Sequence, residues 1–317
     1  MPELLRFVPL YQTRVWGGRR LETLLHRSLP DGQPYGESWE LCDREEAQSV
    51  LAEGPLADMS LHELWGQRRA EIFGARFLDH PAKRFPILLK ILDCSDTLSV
   101  QVHPPAHVAP ILNGEPKTEM WFVAHAEPGA RIYAGLKHGV DRARFEQALE
   151  AGEVEQVIHA MTPRRGEFMF VESGRLHALG AGLLVYEIQQ NSDTTYRVFD
   201  WNRVGLDGQL RALHVEQSLR CINFDDFEPQ LKAPSADGAL VRSDHFDTRW
   251  TRMGAGERRE LSRAGEFVCL AVTKGIVRVG DAPVKVGEFV LAPANMPAEQ
   301  RWLSANEEAE VLEIRLP

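Results

Sequence analysis

Two stretches, GEFMFVESGRLH (166–177) and GEFVLAPANMPA (287–298), are written in one frame. Each opens Gly-Glu-Phe, runs through a short apolar stretch, reaches a tight turn and closes three residues later. A brief apolar run bounded by Gly and Pro signals reads as a strand entering a turn. Two copies of the same strand–turn unit, one in each half of the chain, imply an internal structural repeat. The copies differ at their endpoint, which is His177 in the first and Ala298 in the second.

Working outward, most of the chain reads as further short strands between Gly, Pro and Asp turns. These include RFPILLKIL, TLSVQVH, EMWFVAH, ARIYAG, GLLVYEIQQ and TYRVFDW in the first part. In residues 245–317 strands follow one another at regular turn spacing, as in a sandwich or barrel. Helical signals are few. Ser60-Leu61-His62-Glu63 has the capping-box pattern and predicts a helix through about Phe73. Asp141 precedes a second helical run through Met161, ended by Pro163. A third covers His214 to Cys221. The polar, Pro-containing stretch Glu228–Asp237 reads as a linker. It divides the chain into residues 1–235, with the helical additions, and a β-rich remainder, 236–317.

The repeated frame resembles the second motif of cupin β-barrels, G-x5-P-x-G-x2-H. Glu172 stands at the proline slot of the first copy and Asn295 at the glycine slot of the second. The resemblance implies a mainly β fold, a tandem cupin (jelly-roll barrel) with a few helices in the N-terminal part. The first copy keeps the terminal histidine, so any metal belongs to the first barrel.

Composition narrows the function. With 317 residues and 44% hydrophobic content the chain is a globular protein of about two domains. Its formal net charge of −10 disfavours nucleic acid and anionic membranes as partners, though not a small anion in a basic cleft. No apolar run approaches the roughly 18 residues of a membrane span, and the start lacks a secretory layout. Cys42, Cys94, Cys221 and Cys269 form no CxxC pair and read as reduced thiols of a cytoplasmic protein. Oligomeric state is not readable.

Alternation supplies further ligand candidates. In Ser99-Val100-Gln101-Val102-His103 the polar residues share one strand face. Lys117 and Glu119 likewise share a face at the start of EMWFV. With His177, the residues Gln101, His103 and Glu119 offer two imidazoles, a carboxylate and an amide oxygen. That set suits Zn²⁺ at about 2.0–2.2 Å with room for water or substrate, without excluding other divalent ions. No HExxH occurs, so a zincin protease is unsupported.

At these residues the chain resembles the type I mannose-6-phosphate isomerases in their short bacterial form. The matching runs are VWGG (15–18), YGESWEL (35–41), LLKILDCSDTLSVQVHP (88–104), GEPKTEMWFV (114–123) and GRLHALGAGLLVYEIQQNSDTTYRVFDWNR (174–203). The resemblance implies one zinc ion bound by Gln101, His103, Glu119 and His177, and an active-site arginine at Arg197. It implies interconversion of mannose 6-phosphate and fructose 6-phosphate by proton transfer between C1 and C2 through an enediol-like intermediate.

That chemistry needs a fixed cation for phosphate, an electrophile for the developing oxyanion and a base reaching both carbons. Arg197 offers planar donors for an enediolate or phosphate oxygen; the alternative is a structural bridge to Asp193 or Asp200. Glu187, on a strand face with Gln189, is the first choice of base, and Lys117 the second proton-transfer candidate. Lys90, the one polar residue of LLKIL, is expected to face the site. Ser99 and Arg203 are candidate phosphate contacts, with a surface pair to Asp207 as the alternative for Arg203. Two other functions compete: a non-catalytic phosphosugar-binding regulatory cupin, and a metal-dependent cupin oxygenase.

Overall fold

In the computed structural model, which describes residues 4–201, 203–205, 208–261 and 264–317, the two frames lie in two separate pairs of antiparallel sheets. The first half contributes β1 (Leu10–Gly18), β2 (Tyr35–Leu41), β3 (Ile87–Cys94), β4 (Val100–Val102), β5 (Glu119–Ala126), β6 (Ile132–Leu136), β7 (Ile158–Met161), β8 (Phe168–Val171), β9 (His177–Leu179), β10 (Leu183–Gln190) and β11 (Tyr196–Phe199). Their sheets run β1-β2-β3-β10-β5-β8 and β11-β4-β9-β6-β7. The second half contributes β12 (Ala239–Arg242), β13 (Asp247–Met253), β14 (Arg258–Glu260), β15 (Val268–Lys274), β16 (Ile276–Val279), β17 (Ala282–Lys285), β18 (Phe289–Ala292), β19 (Trp302–Ser304) and β20 (Ala309–Arg315). These form β12-β13-β20-β15-β18 and β14-β19-β16-β17. The chain is thus mainly β, with two cupin-like barrels in tandem.

Why RFPILLKIL shows no alternation is now evident. Every residue of β3 is buried. Ile87, Leu89 and Ile91 pack outward with Phe122, Tyr186 and Ile188 in a core that also takes in Phe267 and Phe289 of the second barrel. Leu92 and Cys94 point into the first barrel with Trp121, Val123, Ile132, Leu179 and Val185. A strand covered on both faces reads as one apolar run. Lys90 lies on the inward face, in register with Glu187.

The frame's opening glycines have a backbone reason. Gly166 and Gly287 sit at φ +88° and +82°, a left-handed conformation in which a side chain is strained. Each turns the chain into its strand, β8 or β18.

The helical expectations need two corrections. The Ser60 capping box forms, with Glu63 N donating to Ser60 Oγ and Ser60 N donating to Glu63 Oε2. The single helix expected to Phe73 is two, Leu61–Gln67 and Arg69–Ile72. Arg69 Nε donates to Trp65 O at 2.9 Å, taking the carbonyl that a continuous helix would offer to the amide of residue 69. The helix begun at Asp141 stops at Glu150; Gly152 at φ +72° turns the chain, and the remainder forms a 3₁₀ turn and β7. Phe145, Val154, Val157 and Ile158 still reach one core cluster. The third helix runs Val215–Cys221.

The stretch read as a linker is strung along the first barrel: Glu228 N donates to Leu136 O at 3.0 Å, and Lys232 bridges to Phe168. No helix among the described residues is long and apolar enough to cross a membrane.

Candidate metal centre and active-site cavity

Two sheets meet at the site. In the smaller one a single register row carries Arg197, Gln101, His177 and Ala134 on β11, β4, β9 and β6. The larger sheet supplies Glu119 on β5, two residues along from Trp121, whose register partner is Glu187. Strand pleating sends Glu119, Trp121, Glu187 and Lys90 inward together.

His103, Glu119 and His177 are fully buried and their ligand atoms lie within 4.8 Å of one another. His103 Nε2 is 3.4 Å from Glu119 Oε2, and His177 Nε2 is 3.5 Å from Glu119 Oε1. Each ring's Nδ1 faces a backbone carbonyl at 2.8 Å, Thr194 O for His103 and Arg175 O for His177. Those contacts place the proton on Nδ1 and leave both Nε2 lone pairs aimed at one point. His103 Nε2, His177 Nε2 and both Glu119 oxygens are buried without a hydrogen-bond partner. Lys117 Nζ pairs with Glu119 Oε2 at 2.9 Å, so that oxygen has a cationic neighbour while Oε1 and the two Nε2 atoms have none so close. Four buried acceptors converge here, only one of them offset by the Lys117 ammonium, and a divalent cation is what satisfies such a set.

The electrostatics agree. Burial holds both imidazoles neutral, pushing His177 down to about 3 and lowering His103. Burial opposes the charge of Glu119, but the Lys117 ammonium outweighs it and holds the carboxyl well below its ordinary range. Neutral imidazoles and an ionised carboxylate are the ligand states a metal needs. Gln101, the fourth residue named from the sequence, is half-buried and stands between Arg197 and His177 in the register row. Among the described residues this is the one cluster of three such side chains. In the second frame Ala298 offers no ligand.

A cavity of about 380 Å³ opens beside this centre, lined by Arg14, Trp16, Glu37, Lys90, Leu92, Leu98, Ser99, Gln101, Lys117, Glu187, Asp193, Thr195, Arg197 and Arg211. That is room for a small polar ligand. A larger cavity of about 650 Å³, between the N-terminal segment and the second barrel, has no metal-competent cluster on its wall.

Charges alternate along one wall. Arg14 Nε lies 2.8 Å from Glu37 Oε1, Glu37 Oε2 3.6 Å from Lys90 Nζ, Lys90 3.6 Å from Glu187 Oε1, and Lys117 Nζ 3.9 Å from the same oxygen. Trp121 Nε1 donates to Glu187 Oε2 at 3.0 Å. Burial, with Glu119 and Glu37 adding to it, lifts the Glu187 carboxyl above its ordinary value despite Lys117 and Lys90. Lys117 is raised: burial opposes its charge, but Glu119 and Glu187 prevail.

Arg197 donates Nη1 to Ala212 O at 2.9 Å and pairs with neither Asp193 nor Asp200. Ser99 lines the cavity; Arg203 does not. The Arg203 guanidinium turns to Asp96, Thr97 O and Asp200, and Asp207, its other expected partner, lies outside the described residues. Sequence reasoning missed Arg14, Trp16, Glu37 and Arg211. The i, i+2 spacing of Arg14 and Trp16 in RVWGG was an available signal; Arg211, outside any strand, carried none.

The family model described as phosphomannose isomerase type I, catalytic domain, matches residues 4–117. A mannose-6-phosphate isomerase of Streptococcus mutans is 38% identical over 297 residues, 90% of this chain and 91% of that protein. The probable mannose-6-phosphate isomerase GmuF of Bacillus subtilis is 36% identical, over 89% of this chain and 94% of its own length. The crystal structure of the mannose 6-phosphate isomerase from Bacillus subtilis superposes with a TM-score of 0.85 at 27% identity, covering 98% of this chain and 99% of that one. A putative mannosephosphate isomerase from Archaeoglobus fulgidus shares the fold, with a TM-score of 0.77 at 21% identity over 99% and 97% of the two chains. With the family model matched over residues 4–117, relatives 36–38% identical over about nine tenths of the chain and the same fold, the chain belongs to the type I phosphomannose isomerase family.

Proposed function

We propose that this protein is a zinc-dependent aldose–ketose isomerase interconverting mannose 6-phosphate and fructose 6-phosphate. The observation that carries the reading is one cavity bordered by a metal-competent triad, a buried carboxylate–lysine pair and an arginine without a carboxylate partner. His103, Glu119 and His177, with Gln101, would hold the ion. Bound there, zinc supplies Lewis acidity that polarises the sugar oxygens at C1 and C2.

The chain's own groups divide the remaining work. Glu187 Oε2 is occupied by the Trp121 indole, so Oε1 is the oxygen free to take the C2 proton. Its elevated affinity for a proton suits a group that must hold one and return it to C1. Lys117 remains charged beside Oε1 and favours the ionised carboxylate before transfer, which makes it a proton donor or electrostatic partner rather than the base. Arg197 presents planar donors to the oxyanion developing between C1 and C2. Ser99 offers a hydroxyl to the ligand. Lys90 is held between Glu37 and Glu187 and orients the base.

The test is a coupled assay on purified protein with mannose 6-phosphate, before chelation, after it and after zinc add-back. Turnover lost with the metal and restored by zinc is expected. Binding of the phosphosugar without turnover in zinc-loaded protein would overturn the enzyme reading in favour of a regulatory one.

A further inference from the structure

Five cations line the cavity, and three of them are paired with carboxylates of its own wall, Glu37 and Glu187. Arg14 is paired with Glu37, Lys90 lies between Glu37 and Glu187, and Lys117 lies between Glu119 and Glu187. Arg203, which would have served, faces away. Arg197 and Arg211 remain. Arg211 is gripped by one carboxylate: its Nε donates to Asp200 Oδ2 at 2.6 Å, and its Nη2 to Asp200 Oδ1. This is the fork-on-carboxylate geometry that fixes a guanidinium plane. Asp200 is 5% exposed and shares Oδ1 with Arg203 Nη2 at 2.8 Å. Arg203 is tied in turn to Thr97 O and to exposed Asp96.

The backbone sets the two free-facing arginines side by side. Arg197 Nη1 bonds the carbonyl of Ala212, the residue after Arg211, and His214 N donates to Arg197 O at 2.7 Å. The segment carrying Arg211 is thereby docked on β11, which ends next to Asp200. Burial and the neighbouring Arg211 lower the Arg197 guanidinium's hold on its proton against the opposing pull of Asp200, as like charges close together do. Arg197 has no carboxylate partner and Arg211 shares its one carboxylate, Asp200, with Arg203, so this corner carries more positive than negative charge and forms a place for an anion.

Resting on the isomerase reading above, we propose that Arg211 is the phosphate-binding cation of this cavity and that Asp200 is its positioning residue. Asp200 fixes Nε and Nη2, which leaves the outer edge of the guanidinium, with Nη1, for the ligand. Arg203 acts through Asp200, as the second hand on the same carboxylate. Arg197 stays with the reacting carbons, so the two arginines differ in what their loss does.

Asp200→Asn, Arg211→Ala and the double variant are compared in the zinc-loaded protein by steady-state kinetics with mannose 6-phosphate and by calorimetric titration with inorganic phosphate. Loss of a charge-assisted contact is expected to raise KM and weaken phosphate about ten- to hundredfold in Arg211→Ala, with kcat within about twofold. Asp200→Asn should follow in the same direction. The double variant should be no worse than Arg211→Ala alone, because Asp200 acts through that side chain. Asp200→Glu should recover part of the affinity. Additive losses, a fall in kcat at unchanged KM, or unaltered phosphate binding in Arg211→Ala would each overturn the proposal. If Asp200→Asn does not fold, Arg211→Ala and Arg211→Lys decide alone, the lysine being expected to keep part of the phosphate affinity. If the unsubstituted protein fails to turn over mannose 6-phosphate, the isomerase reading falls. The calorimetric comparison still decides this one.

Discussion

Arg197 is the residue at which mechanism and mere structure separate most cleanly. No carboxylate pairs with it among the described residues, and its anchor is a backbone carbonyl. Arg197→Lys keeps a positive charge and removes the planar fork. A donor aimed at an oxyanion is worth about 2.7–4 kcal/mol, so turnover should fall by on the order of 10² with metal content unchanged. A rise in KM at constant kcat would reassign Arg197 to uniform binding. His177→Ala tests the other half of the site. It removes one of two neutral imidazoles converging on Glu119 and leaves the metal-competent set one ligand short. Metal measured by elemental analysis should drop from about one ion per chain towards none, and turnover with it. Retained zinc with normal turnover would refute the ligand assignment.

At the scale of elements, the inward row Trp39–Lys90–Glu187–Trp121 across β2, β3, β10 and β5 stores charge inside a sheet. Burial pushes the Glu37 carboxyl up, but Lys90 and Arg14 outweigh it and bring it down to about 2. A carboxyl depressed in the folded state stabilises above its unfolded value, near 4.5, and loses that contribution as pH falls through about 2. The contribution is on the order of 3 kcal/mol. Denaturant unfolding of Glu37→Gln should therefore lie several kcal/mol below the unsubstituted protein at pH 7, with the gap narrowing between pH 5 and pH 2. A gap independent of pH would mean that packing, not charge, sets it.

Legibility at this scale followed the range of the interaction. The shared direction of Ser99, Gln101 and His103, and that of Lys117 and Glu119, is a local period of two and can be read from a handful of residues. That β9 sets His177 opposite Gln101 is a pairing between strands far apart in sequence, for which no local signal exists. The run after Asp141 misled because Val154, Val157 and Ile158 fit a helical face as well as the turn and strand they form, and Gly152 alone marked the break. Arg211 could not be read at all, since its position depends on Asp200 and on the docking of residues 211–214 against β11.

Over the whole molecule, the repeat that divides the chain into two barrels does not divide its core. Leu5 pairs with Leu291, so the N-terminal segment extends a sheet of the second barrel. Tyr186 of β10 stacks on Phe289 at 5.5 Å and donates its hydroxyl to Val272 O at 3.0 Å. Phe267, 1% exposed, sits among Phe73, Phe77 and Phe85 with ring centroids 5.2 to 5.8 Å apart. One apolar cluster contains Leu5, Leu291, Tyr186, Phe289, Phe267, Phe73, Phe77 and Phe85. The second barrel, without a ligand at Ala298, therefore acts as a wall for the outer face of β3, β5 and β10, whose inner face carries Lys90, Glu119 and Glu187. Phe267→Ala opens a cavity in that wall and should destabilise by about 3–5 kcal/mol. If the barrels were independent units, the substitution would give two unfolding transitions, with the metal leaving only at the upper one. A continuous core predicts one calorimetric transition at lower temperature, with metal release, followed by a chromogenic chelator, moving down with it. Turnover per metal-loaded chain at 25 °C should stay unchanged, because Phe267 lines no part of the active-site cavity. Two resolved transitions would mean that the interface is a contact between finished domains rather than a shared interior.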